Sequence, residues 1–150
     1  MARFDVYGIA DLYSDLAALS FLPERVTADI LNAEADVIVE AQRNYMEKMQ
    51  RGPESTGISA KSVKKGRVQR GRDGPYISIY PHGDRKRGKG KRGKKKIYDV
   101  RNAEIAFLNE YGARGQAPRP AIRTANEQAA GKATEAGEKV YHAYLDSKNL

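Results

Sequence analysis

The chain has no cysteine and no tryptophan in its 150 residues. Without cysteine there is no disulfide scaffold, no thiolate metal site and no thiol nucleophile. Histidine is scarce as well. His82 and His142 have no second histidine or carboxylate at metal-ligand spacing. No apolar run approaches the roughly 20 residues of a membrane span. The start, Met1-Ala2-Arg3-Phe4-Asp5, lacks the apolar stretch of a signal peptide. The expectation is a soluble protein with no membrane partner, acting where it is made or inside something assembled there.

At this length one domain, residues 1–150, is the expectation. Hydrophobic types make up 40% of the chain, enough for a modest core. The formal net charge is +8, and its distribution says more than its sum. Residues 1–50 hold 4 Lys/Arg against 9 Asp/Glu, residues 51–102 hold 17 against 4, and residues 103–150 hold 6 of each. Nine cations stand in the twelve residues from Arg85 to Lys96: Arg85, Lys86, Arg87, Lys89, Lys91, Arg92, Lys94, Lys95 and Lys96. Without them the remaining charges sum to −1. The chain therefore reads as a near-neutral domain carrying a flexible basic loop over 83–96. Such a segment has nothing to bury and repels itself. A polyanion, nucleic acid first, is the partner that suits it, against the plainer reading of a solvated loop.

Two nucleotide-binding patterns occur inside this run. Gly83-Asp84-Arg85-Lys86-Arg87-Gly88-Lys89 matches the first seven positions of a P-loop, but the eighth is Gly90 where a magnesium-binding Ser or Thr belongs. Gly88-Lys89-Gly90-Lys91-Arg92-Gly93 satisfies G-x-G-x-x-G. Both patterns require a helix to start at the glycines, and Lys94-Lys95-Lys96 offers none. A run of Gly, Lys and Arg produces such matches by chance.

The expected architecture is α+β, with two long helices over a small antiparallel sheet. A short helix is expected within Asp11–Leu19. After Pro23, apolar residues at Val26, Ile30, Ala33, Val37, Ala41, Tyr45 and Met49 draw one drifting stripe from about 24 to 50. Asp29, Glu34, Asp36, Glu40 and Glu47 form an acidic outer face, and Arg51-Gly52-Pro53 stops the helix. Thr56 suits the cap of a short helix through Val63. Pro75–Pro81 alternates as a strand, with Ile77 and Ile79 on one face and Tyr76, Ser78 and Tyr80 on the other. Ile97–Val100 is its candidate return partner, which makes the basic run a hairpin tip. Asn102 suits an N-cap for a helix from Ala103 to Tyr111 ending at Gly112, with a strand through Ile105 and Phe107 as the alternative. Pro120 opens a last helix whose stripe is Ile122, Ala125, Ala129, Ala133, Ala136, Val140 and Tyr144. That stripe is mostly alanine, permitting close approach to the first long helix or to a neighbouring subunit while burying little area.

Nothing in this inventory points to an enzyme or to a bound cofactor. There is no nucleophile-elbow pattern. Paired carboxylates such as Asp36 and Glu40 read as exposed helix surface. The nine tyrosines suit an interface or base stacking; Tyr76 and Tyr80 flank the basic loop, although a half-buried sheet accounts for them equally.

Ala103-Glu104-Ile105-Ala106-Phe107-Leu108-Asn109-Glu110-Tyr111-Gly112, followed by Gln116-Ala117-Pro118-Arg119-Pro120-Ala121-Ile122-Arg123-Thr124-Ala125, resembles the signature of the "gene product ten" tail-component family of HK-type lambdoid phages. Glu110, Tyr111, Gly112, Arg119, Pro120, Ile122, Arg123 and Ala125 fall where that family has them. Ala113 stands in place of its usual Thr, and Ala121 in place of its usual Phe. The resemblance covers residues 103–125 closely and the rest of the chain in layout. It implies a neck or tail-completion protein of the virion head–tail junction, found in the host cytoplasm during assembly. It further implies a homo-oligomeric ring of roughly six or twelve subunits, joined head to tail. Its neighbours would be head-completion or portal-side proteins and tail-side proteins. In such a ring the basic loop would face genomic DNA in the lumen or an acidic neighbouring protein. The rival reading is a non-sequence-specific nucleic-acid-binding protein or assembly factor that uses the same loop.

Overall fold

The computed structural model describes residues 22–49, 57–85 and 100–148. The expected Asp11–Leu19 helix, the Thr56 cap and most of the basic run lie outside these residues.

Helix α1 spans Glu24–Lys48 and starts directly after Pro23, whose carbonyl accepts the Thr27 N–H at 3.1 Å. Helix α2 (Ile58–Ser62) follows Gly57, which holds the left-handed conformation at φ 64°. Strand β1 (Val63–Lys65) begins where α2 stops, so Val63 opens a strand and does not belong to the helix. Strands β2 (Gln69–Gly71), β3 (Gly74–Tyr76), β4 (Ile79–Pro81), β5 (Asp84–Arg85) and β6 (Val100–Arg101) precede α3 (Asn102–Tyr111) and α4 (Ala121–Asp146). The fold is α+β, with two long helices and small antiparallel ladders.

The two long helices form the core of the described structure. They run antiparallel, since Gln42 of α1 meets Asn126 near the start of α4 while Glu34 meets Gly137 further along. The α4 side of the seam is Ala125, Ala129, Ala133 and Gly137, all buried in uniform steps of four. Ala136, expected in that row, is half-buried beside it. The α1 side is Ala35, Val39 and Gln42. The partner of the alanine stripe is thus the long helix of the same chain. The Glu34 side chain occupies the space at Gly137, where a Cβ would lie 2.5 Å from its Oε1. Glu34 consequently belongs to the seam and not to the acidic outer face.

The stripe expected on α1 is not this seam. At about 100° per residue, Val26, Ile30, Ala33 and Val37 lie roughly 150–170° around the helix from Ala35, Val39 and Gln42. They are half-buried on the far side, and only Tyr45 and Met49 drift back towards α4. Helix α1 is apolar on two faces, and the seam face was masked in the sequence by its alanines and its glutamine. Gln42 is 1% exposed, and its Nε2 donates to Asn126 Oδ1 at 2.8 Å. A slip of either helix would strand that amide in an apolar seam, at a cost of about 1–3 kcal/mol, so the pair fixes the register.

The expected strand Pro75–Pro81 is two strands with different partners. β3 pairs with β2 across the turn at Arg72-Asp73, matching Tyr76 to Gln69, and Gly74 takes φ 124° there. β4 pairs with β1, matching Val63 to Pro81 and Lys65 to Ile79. Ile77 and Ser78 link the two. Prolines lack the amide donor that a continuous central strand requires, so Pro75 and Pro81 each sit in a short ladder. Helix α1 holds β1 through Arg43, whose Nε and Nη2 donate to Val63 O at 3.1 and 2.7 Å. Lys65 Nζ adds an ion pair with Asp36 at 2.7 Å. The Arg70–Glu24 pair is almost fully solvent-exposed and contributes little.

The alanine seam generates a test. Ala129→Leu should destabilise the protein by about 1–3 kcal/mol through overpacking, whereas Ala130→Leu, one residue along and exposed, should stay within about 0.5 kcal/mol. Urea unfolding midpoints of the two variants check this.

Candidate interaction site: the base of the basic loop and the corner before the last helix

The basic run leaves the folded body between β5 and β6. Asp84 pairs with Arg101 and Arg85 with Val100, antiparallel, so the two ends of the intervening segment lie side by side. The hairpin expectation holds at its base, with one correction: Val100 returns against Arg85 and not against the 75–81 segment. Of the nine cations, the backbone of Arg85 is described, and Lys86, Arg87, Lys89, Lys91, Arg92, Lys94, Lys95 and Lys96 lie outside the described residues.

The base is fastened to α3 by Asn102. Its N–H donates to Gly83 O at 2.9 Å and its Nδ2 to His82 O at 2.8 Å. Asn102 is 4% exposed and is the first helical residue, preceded by Arg101 at the capping position. The expected N-cap is therefore a buried tie between loop base and helix. Gly83 (φ 79°) leads into strand β5; Gly88 onward, where either nucleotide-binding pattern would need its helix, lies outside the described residues. Residues 103–111, helix or strand by sequence, are helix.

The residues that carry the family resemblance meet at the corner between α3 and α4. Glu110, near the end of α3, is 8% exposed, and its carboxylate is spent on the start of α4. Oε2 accepts the Ile122 N–H and Oε1 the Arg123 N–H, both at 2.9 Å. The first amides of a helix have no partner within it. Pro120, the residue before α4, makes no side-chain cap, so a carboxylate from another helix does the capping, aided by the positive end of the helix dipole. Gly112 ends α3 at φ 85°, and a Cβ there would sit 2.9 Å from Gln116 O. Ala113 and Gln116 exchange backbone hydrogen bonds, and the Arg119 N–H returns to Asn109 O at 2.6 Å. Ala125 opens the buried row on α4. Glu110, Gly112, Pro120 and Ala125 are thus architectural, whereas Tyr111, Arg119 and Arg123 are exposed.

Beside this corner lies an open groove of about 430 Å³, floored by Ala103, Ala106 and Glu110 and walled by Pro81, Ile122 and Asn126. Its rim is aromatic: Phe107 is 61% exposed, Tyr111 59% and Tyr80 45%. Phe107 and Tyr111 are one helical turn apart, with ring centroids 4.7 Å from each other. Tyr80 stacks on His82 at 4.1 Å. Tyr76 is engaged elsewhere, its hydroxyl donating to Gln69 Oε1. The groove escaped sequence reading because it is assembled from β4, α3 and α4. The Glu110 cap was equally unreadable, since it acts twelve residues ahead of its target, outside any local capping spacing.

Among the described residues no cluster of three His, Asp or Glu side chains is arranged for a metal, and no helix is long and apolar enough to cross a membrane. Asp36 is paired with Lys65, and Glu40 is exposed on the same helix. Comparison with protein-family models, curated proteins and solved structures finds no match.

Glu110→Ala strands two buried amides and should cost about 1–3 kcal/mol. Glu110→Gln keeps one acceptor and should cost less. Chemical denaturation of both variants separates the outcomes; equal stability of Glu110→Ala and the parent would remove the capping role.

Proposed function

We propose that this chain is a structural protein of the head–tail junction of a long-tailed phage, a neck or tail-completion component that assembles as a homo-oligomeric ring. The observation that carries the reading is the α3–α4 corner. The residues resembling the family signature are not scattered: Glu110, Gly112, Pro120 and Ala125 build one unit through the Glu110 cap. A shared signature of that kind is what a common fold would preserve. The basic run adds a role. The β5–β6 ladder brings Arg85 and Val100 side by side, and nine cations stand in the sequence from Arg85 to Lys96 of an otherwise near-neutral chain. Lys and Arg contact phosphate without reading sequence, as a conduit for genomic DNA requires.

Virions made from the genome that encodes this chain should contain it at on the order of six to twelve copies, as a closed ring demands. Quantitative mass spectrometry against the major capsid protein measures that ratio. Particles complete in capsid and tail proteins but free of this chain would end the structural reading.

The second reading is a free nucleic-acid-binding protein, favoured by the same basic run. With four to six phosphates engaged, log K should fall against log salt with a slope of roughly −4 to −5. Replacing residues 86–96 by a Gly/Ser linker should abolish that binding in a fluorescence-anisotropy titration. Affinity that survives the replacement would clear the run of responsibility.

A further inference from the structure

We propose that the aromatic groove at the α3–α4 corner is one half of a head-to-tail contact between two copies of this chain, and that its occupant is the outward face of α1 of the next copy. The proposal rests on the homo-oligomeric part of the reading above and names the surfaces that join.

Phe107 and Tyr111 stand proud of α3 at 61% and 59% exposure, beside Leu108 at 45%. Large apolar groups clustered in this way mark an interaction surface, and aromatics carry the largest burial per residue. The corner is also cationic. Arg114, Arg119 and Arg123 are exposed and make no ion pair among the described residues, while Glu110 is consumed by its cap and Glu127 is the exposed acid on the lining.

The far face of α1 has the opposite character. Val26, Ile30, Ala33 and Val37 form a half-buried apolar row, edged by Asp29, Glu40 and Glu47, exposed and likewise in no ion pair among the described residues. Ala33 is the small residue of this row, between the larger Ile30 and Val37.

The two surfaces cannot meet within one chain. Gln42 of α1 reaches Asn126 in the groove wall, and the apolar row lies roughly 150–170° around α1 from that contact. Contacts between unlike faces pointing in different directions propagate from copy to copy and close into a ring when the rotation allows.

The absence of native cysteine makes disulfide trapping a clean test, and trapping detects a contact too weak to hold a stable oligomer. Full-length Ala33→Cys and Tyr111→Cys variants are mixed in equal amounts and oxidised. The mixed dimer should exceed either self-dimer by roughly tenfold, because only the mixed pair is held at high effective concentration. It should drop to background when the Tyr111→Cys partner also carries Phe107→Glu. A Tyr111→Cys self-dimer as abundant as the mixed one would overturn the proposal. So would a mixed dimer no more abundant than that of Ala33→Cys with Glu138→Cys, an exposed position on α4, or one indifferent to Phe107→Glu. Trapping and virion composition fail separately. The chain present in particles without the crosslink keeps the phage reading and removes this interface; the crosslink without the chain in particles does the reverse.

Discussion

Everything in the described structure depends on how closely α1 and α4 approach. The seam is built from Ala125, Ala129, Ala133 and Gly137 against Ala35, Val39 and Gln42. Alanines bury little area each, so their contribution comes from many short contacts and is lost quickly with separation. Such a seam tolerates little added volume, and the buried Gln42–Asn126 hydrogen bond leaves it one register. The ladders do not hold themselves together. β1 is fastened to α1 by Arg43 and Lys65, and β4 is paired to β1. The helix pair is the frame, and the strands hang from it.

From that frame the chain reaches its exposed corner by a second constraint. Helix α3 is fixed at both ends, by Asn102 gripping the loop base and by Glu110 capping α4. The turn after it supplies Gly112 and the Ala113–Gln116 exchange. The base of the basic run is tied to the first residue of a ten-residue helix whose length lines the aromatic groove, from Ala103 to Tyr111.

The long elements were legible in the sequence because their signals are strong and local: Pro23 before α1, Gly112 after α3, and Pro120 before α4. The faces were less legible. An apolar row on α1 was visible, but the row that packs against α4 was hidden, because an alanine–glutamine seam scores as bland. The strand at 75–81 was visible as alternation, yet its division between β2 and β1 is a tertiary choice, made at Gly74 and at Pro81. The site was least legible. Glu110 as a cap, Asn102 as a tie and the groove itself all join residues from different elements, and no spacing rule announces them. The basic run was plain in sequence, and the structure adds where its two ends are held.

That clamp also bounds the geometry of the charge. Residues 86–99 leave and return through neighbouring strands, so these fourteen residues can extend no farther than half their contour, about 24 Å at 3.4 Å per residue. Within that radius their number is nearly free of thermodynamic consequence, since doubling a closed loop costs only about 0.6 kcal/mol. The β5–β6 ladder fixes where that loop starts and where it ends, so a change in its length is paid for there and not in the seam between the long helices.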